Sequence, residues 1–389
     1  LVEKPYTLGM RKFCVTVLFC CVLQGVYAQD SAIIRRWMDT LAAPAFHGRG
    51  YVNNGMQQAA NWIAATMQQQ GLQIQRQTVE YPVNVFPSPS LLQVNGHTLQ
   101  EGVDYLIGPE SGGFDGTVSR LLQVDSATWV SADQKLIVQL ADKLTWSVAT
   151  RQQNHCRVIV RRAAIASAPK KIKLQVTPFF QPSFKADNVI ATVAGTLRND
   201  SAIVFTAHYD HLGQLGNALF AGANDNASGS ALLMQLACRI QAQPLPYKAV
   251  FIWFAGEEAG LVGSSWYVEK PAFPLSNIRF LLNLDLMGNG EEGITVVNAT
   301  EFPNAFALLQ KLNSEKQYLT AINSRGKAQN SDHYWFTEKG VPSFFWYTLG
   351  KRKAYHDVED IAATVPLVEA NDLIRLILDF SQQLILQSR

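Results

Sequence analysis

Cysteine is scarce in this chain, and its placement is uneven. Five occur in 389 residues, and Cys14, Cys20 and Cys21 fall within the first 28. Cys156 and Cys238 are too few for a disulfide scaffold and show no Cys-x-x-Cys spacing, so two buried thiols are expected. Charge of one sign is missing too: 33 basic residues face 31 acidic ones. Setting aside Glu3, Lys4, Arg11 and Lys12 leaves 30 of each. No basic field remains to hold a phosphate backbone, which excludes nucleic acid as an expected partner. Nor does an apolar run reach the roughly 20 residues that span a bilayer, so no stable membrane span is expected. Repeats and low-complexity tracts are absent. What is there is a core-forming composition, 48% hydrophobic and 16% charged.

The first 28 residues read as an export signal. Met10 is taken as the start, Arg11-Lys12 as the charged region, 13–23 as an eleven-residue apolar run, and Val26-Tyr27-Ala28 as a small-residue cleavage site. Lipid attachment through Cys21 is disfavoured because bulky Phe19 and Cys20 precede it. A periplasmic or secreted location follows as an expectation.

Residues 31–43 read as a helix, and Met56, Ala59, Ala60, Ile63 and Met67 recur at helical spacing before Gly71. A strand is expected at 72–81. Prolines at 82, 87 and 89 then open an irregular stretch, in which strands at 135–140 and 156–160 flank an expected short helix at 146–153. From 188 onward, short apolar runs at 188–194, 203–207, 249–254, 280–284 and 343–347 read as strands buried on both faces. Helical stretches at 228–243, 263–269, 303–316, 331–339 and 366–386 lie between or after them. The expected fold class is α/β: a three-layer αβα sandwich with a mostly parallel, mixed central sheet and an inserted subdomain. The expected division is 1–28 signal, 29–84 and 185–389 catalytic domain, and 85–184 insert.

Polar residues cluster where those strands finish. His208-Tyr209-Asp210-His211 follows one run, Gly256-Glu257-Glu258 another, Asp285 ends a third, and Tyr355-His356 lies beyond a fourth. Open α/β sheets bind ligands beyond the carboxyl ends of their strands, so these side chains are aimed at one crevice. Asp225 arrives from the loop at 222–226. Each residue alone has a plain reading: a packed histidine, a solvated turn, a helix cap. Asp285 is harder to set aside, because an acid inside Leu-Asn-Leu-Asp-Leu-Met needs a buried partner. A pair of divalent ions answers all of them. Imidazole and carboxylate are zinc donors. Asp225, Glu257, Glu258 and Asp285 together carry the charge of two such ions, and without metal they would repel.

These segments resemble the co-catalytic dizinc aminopeptidases of metallopeptidase family 28. The resemblance is carried in order by His208-Tyr209-Asp210, Gly-Ala-Asn-Asp-Asn-Ala-Ser-Gly, Gly-Glu-Glu, Asn-Leu-Asp-Leu-Met-Gly, Ser331-Asp332-His333 and Tyr355-His356. It implies two zinc ions bridged by Asp225, with His208 and Asp285 at one and Glu258 and His356 at the other. It implies Glu257 as general base, Asp210 orienting His208, Tyr355 stabilising the oxyanion, and a cis peptide after Asp225. The implied substrates are peptides with a free N-terminus. His211 and His333 receive no role, and residues 85–184 resemble a degenerate protease-associated insert. A single-zinc glutaminyl cyclase, carboxypeptidase or dipeptidase specificity, and a non-catalytic binding protein remain open as alternatives.

Overall fold

Strands that are apolar on both sides must be covered on both sides, and the computed structural model, which describes residues 30–387, shows how. The expected export segment lies outside those residues. Eight strands form the central sheet: β1 (Gln73–Val85), β2 (Phe179–Val193), β3 (Ala202–His208), β4 (Lys248–Phe254), β5 (Ile278–Leu284), β6 (Ile294–Val297), β7 (Ile322–Ser324) and β8 (Ser343–Thr348). Their spatial order is β1-β2-β4-β3-β5-β8-β6-β7. The inner four, β4-β3-β5-β8, run parallel, so their carboxyl ends share one edge. β2 pairs antiparallel with β4, β1 pairs antiparallel with β2, and β6 returns antiparallel to β8. The sheet is mixed.

Alternate residues of each inner strand enter different cores. Ile203 and Phe205 of β3, with Phe251 and Trp253 of β4, join the core of helices α1 (residues 30–41), α2 (Gly55–Gln69), α3 (Gly229–Ala242), α5 (Pro303–Lys316) and α7 (Ala370–Gln387). Ala202 and Val204, with Val250, Ile252 and Phe254, join the core of α4 (Val262–Glu269) and α6 (His333–Glu338). This is the three-layer αβα arrangement. Among the described residues no helix is long and apolar enough to cross a membrane.

β1 and β2 pair along nearly their whole length, from Gln73 opposite Thr192 to Val85 opposite Phe179. The register shifts between Tyr81 and Val83, at Pro82, where a residue without an N–H cannot continue the ladder. The pair leads into a second body. Residues 91–176 supply a four-stranded and a five-stranded sheet around their own core, which includes Leu92, Tyr105, Trp129, Val138, Val158 and Leu174. A hairpin, Gly213–Leu215 with Ala218–Phe220, reaches into that core through Leu215 and Phe220. Cys156 and Cys238 are unpaired thiols; Cys156 is buried as expected, whereas Cys238 is only partly so.

Two expectations need correction. Residues 146–153 are not helical: strands Leu136–Ala141 and Cys156–Arg161 are parallel neighbours joined by an extended crossover. Its polar groups are claimed from outside. Trp146 donates its main-chain N–H to His356 O (2.8 Å) and its indole N–H to Ile107 O (2.8 Å). Ala149 O accepts from Asn84 N–H (2.9 Å). With those bonds made to distant segments, no local i to i+4 ladder forms. The short strands β6 and β7 were not anticipated, because runs of three or four residues carry little periodicity.

Candidate metal centre

The site lies at the carboxyl edge of the four parallel strands. His208 is the last residue of β3, Glu257 and Glu258 follow β4, Asp285 follows β5, and the chain after β8 returns to Tyr355 and His356. Asp225 comes from the turn Ala223–Ser228 that opens α3. The Asp225–Asn226 peptide is cis.

Atom by atom, Asp225 is the hub. Its Oδ1 lies 3.5 Å from His208 Nε2 and its Oδ2 lies 3.1 Å from His356 Nε2. On one side, His208 Nε2 is 3.3 Å from Asp285 Oδ1. On the other, Glu258 Oε2 is 3.2 Å from His356 Nε2, and Glu258 Oε1 is 2.7 Å from His211 Nδ1. Two sets of donors result. His208, Glu257 and Asp285 offer atoms mutually within 4.8 Å, and so do His211, Asp225 and Glu258. Tyr355 is half-exposed and lies flat on His356, with ring centroids 4.0 Å apart.

These donors fit divalent cations. His208 Nε2 and Asp285 Oδ1 are buried and face each other, yet neither makes a hydrogen bond; His211 Nε2 is equally without a partner. Buried polar atoms left open in this way are rare and call for a partner. Hard and borderline divalent ions take this mixture of imidazole nitrogen and carboxylate oxygen.

Proton affinities show the same charge crowding. Burial lowers the His356 imidazole, but Glu258 and Asp225 more than reverse this and bring it up to about 11. Burial likewise opposes His208, while Asp285, Glu257 and Asp225 raise it well above its ordinary value. Burial raises Glu257 well above the usual carboxyl range, aided by Glu258, Asp332 and Asp285. Asp210 is pushed up to about 7 and Asp332 to about 6, again chiefly by burial. Negative charge is in excess here, and protons hold part of it in check.

The expected part for Asp210 takes a different form. Its carboxylate is 3.8 Å from His208 Nδ1, and the nearer contact to that ring is its own carbonyl at 3.2 Å. The carboxylate instead accepts from the N–H groups of Glu257 (3.1 Å) and Glu258 (3.3 Å), and so fixes the glutamate turn. His333 is buried and packs on Phe345. Asp332 is buried with neither oxygen hydrogen-bonded.

Two supporting residues escaped the sequence reading. Asp360 accepts from the N–H of Asn224 (2.9 Å) and of Asp225 (3.0 Å). Arg49, fully buried, spends its guanidinium on five carbonyls: Tyr209, Leu41, Ala221, Gly222 and Asp225. Both act on main chain remote in sequence, which no local pattern announces; the only signal was a charged residue between Gly48 and Gly50. Asp285 is steadied by a relay already inside a quoted motif. Thr206 donates to Asn283, Asn283 to Ser331, and Ser331 to Asp285 Oδ2 (3.1 Å).

Residues 188–381 match peptidase family M28. The chain carries an M28 peptidase domain. The M28 match begins in β2 and takes in the hub Asp225, both glutamates, Asp285 and His356. The chain is 26% identical to a probable leucine aminopeptidase of Trichophyton verrucosum, over 67% of this chain and 65% of that protein. It is 28% identical to aminopeptidase YwaD of Bacillus subtilis, over 46% of this chain and 40% of that one. The matches thus span less than two thirds of either relative. A solved zinc aminopeptidase from Bacillus subtilis superposes with a TM-score of 0.69 at 18% identity, covering 91% of this chain and 94% of its own, so the likeness of fold takes in the second body as well.

Proposed function

We propose that this chain is an exported aminopeptidase that holds two zinc ions and hydrolyses the N-terminal bond of peptides with a free α-amine. The observation that carries the reading is the pair of donor sets meeting at Asp225. One set alone would suit a single-zinc cyclase; two adjacent sets, with Asp225 within 3.5 Å of His208 Nε2 through one oxygen and 3.1 Å of His356 Nε2 through the other, suit a dinuclear hydrolase. His208 and Asp285 would hold one ion, Glu258 and His356 the other, and Asp225 both. When bound, the ions would polarise the scissile carbonyl and bring the pKa of a coordinated water down to about 7.

The two adjacent glutamates divide the work. Glu258 is engaged by His211 and His356, whereas Glu257 opens into a cavity of about 260 Å³ beside Asp285, Tyr355 and His356. Glu257 is therefore assigned as general base. It takes a proton from the attacking water as the oxygen bonds to the carbonyl carbon, and delivers it to the amine nitrogen as the carbon–nitrogen bond breaks. Its raised proton affinity suits both halves of that transfer. The Tyr355 hydroxyl is assigned to the carbonyl oxygen as it gains charge. The relatives named aminopeptidases support exopeptidase action at a free α-amine.

Glu257→Gln is expected to keep both metals, by elemental analysis, and to lose about 10²–10⁴ in kcat on a free aminoacyl substrate. Turnover within tenfold of wild type would remove Glu257 from the base role. Hydrolysis of N-blocked peptides at the rate of free ones would remove the aminopeptidase reading.

A further inference from the structure

The cavity beside Glu257 is not lined by acids and apolar groups alone. Arg325 stands in its wall with Asn330, Phe345 and Tyr347. Its main chain is locked on both sides: Arg325 N–H donates to Val296 O (2.9 Å), and its carbonyl accepts from Ala299 N–H (3.1 Å). Among the described residues no carboxylate lies within ion-pair distance of its guanidinium, whose one side-chain hydrogen bond goes to Tyr347 Oη (3.3 Å). A guanidinium carries five N–H donors in a planar fork that matches a carboxylate. Most of that fork is uncommitted, in a cavity whose acidic floor would be neutralised by the metals. The fixed charge that then faces an entering substrate is positive.

We propose that Arg325 makes this cavity a carboxylate-binding subsite, so that the favoured substrates carry an acidic group next to the scissile bond. This rests on the aminopeptidase reading and names its substrate class. Two sources supply the same chemistry: the side chain of an N-terminal glutamate or aspartate, or the terminal carboxylate of a dipeptide. Charge-assisted bidentate pairing with a carboxylate is the strong form of hydrogen bond. The neutral isostere glutamine, by contrast, meets an unpaired cation.

The test uses the full zinc-loaded chain and compares kcat/KM for glutamyl- and glutaminyl-p-nitroanilide, and for Leu-Leu and its C-terminal amide, in wild type, Arg325→Ala and Arg325→Lys. A ratio of at least about tenfold in favour of the acid is expected in one of the two pairs. That ratio should fall toward one in Arg325→Ala and recover in part in Arg325→Lys. The pair that responds identifies the source. Ratios unchanged by Arg325→Ala overturn the proposal. Calorimetric binding of L-glutamate against L-glutamine separates this from the reading beneath it. If no aminoacyl substrate is turned over, the aminopeptidase reading falls, and a glutamate preference that Arg325→Ala abolishes still supports the subsite. Equal binding of the two amino acids in both proteins, together with equal binding of Leu-Leu and its C-terminal amide, overturns it.

Discussion

Arg49 illustrates how a single buried side chain organises a site it does not touch through its charge. Burial lowers its pKa to about 10 against the opposing pull of Asp360, Asp225, Asp210 and Glu258, so it stays cationic at neutral pH. Its five carbonyl partners include Gly222 and Asp225, which bracket the turn presenting the metal hub. Lysine has three donors and no fork, so Arg49→Lys strands at least two buried carbonyls. At about 1–3 kcal/mol for each unsatisfied group, a loss of about 2–6 kcal/mol is expected. Urea unfolding of the metal-loaded variant measures it, and a change below about 0.5 kcal/mol would show that water or a shifted main chain serves those carbonyls equally well.

Among elements, the crossover at 142–150 couples the second body to the metal centre. Trp146 N–H is bound to the carbonyl of His356, and Lys143 pairs with Asp357 Oδ2 at 2.8 Å and donates to Lys353 O at 3.1 Å. Lys143 is half-exposed, so its pair contributes at most about 1 kcal/mol. Lys143→Ala is accordingly expected to weaken metal binding at His356 by up to about fivefold, read by competition with a chromogenic chelator. Unchanged metal affinity would mean that the main-chain bond from Trp146 holds the loop alone. This crossover also marks where sequence ceased to inform. The inner strands were legible because continuous apolar runs end abruptly in His208, Glu257 and Asp285, and burial on both faces leaves few other readings. Helix α5 was legible to the residue, from Pro303 to Lys316. The crossover was not, since its conformation is set by Ile107, Asn84 and His356, whose proximity only the tertiary fold creates. Arg49 and Asp360 were hidden for the same reason.

For the molecule as a whole, the buried carboxylates tie stability to metal and to pH. His208 and His356 hold protons in the folded, metal-free protein that the unfolded chain releases above about pH 6.5. Their contribution is full below that value and is lost as pH rises toward about 11 for His356. Asp210, Asp332 and Glu257 act with the same sign from lower pH, because folding raises their proton affinity. Glu258 opposes them: its carboxyl is lowered by His356 and His211 against burial, so its contribution fades in acid. The metal-free protein is therefore expected to be most stable at mildly acidic pH and to lose Tm steadily on the alkaline side, in calorimetry with chelator present. Zinc should raise Tm most where the chelated protein is weakest, since the ions replace the missing countercharge. A metal-free Tm that is flat from pH 6 to 9 would contradict this.

The short segment from His356 to Asp360 grips the hub aspartate at both ends, His356 at its carboxylate and Asp360 at its amide. The segment therefore works on that aspartate as a clamp with two jaws, and a substitution at either end frees only one of them.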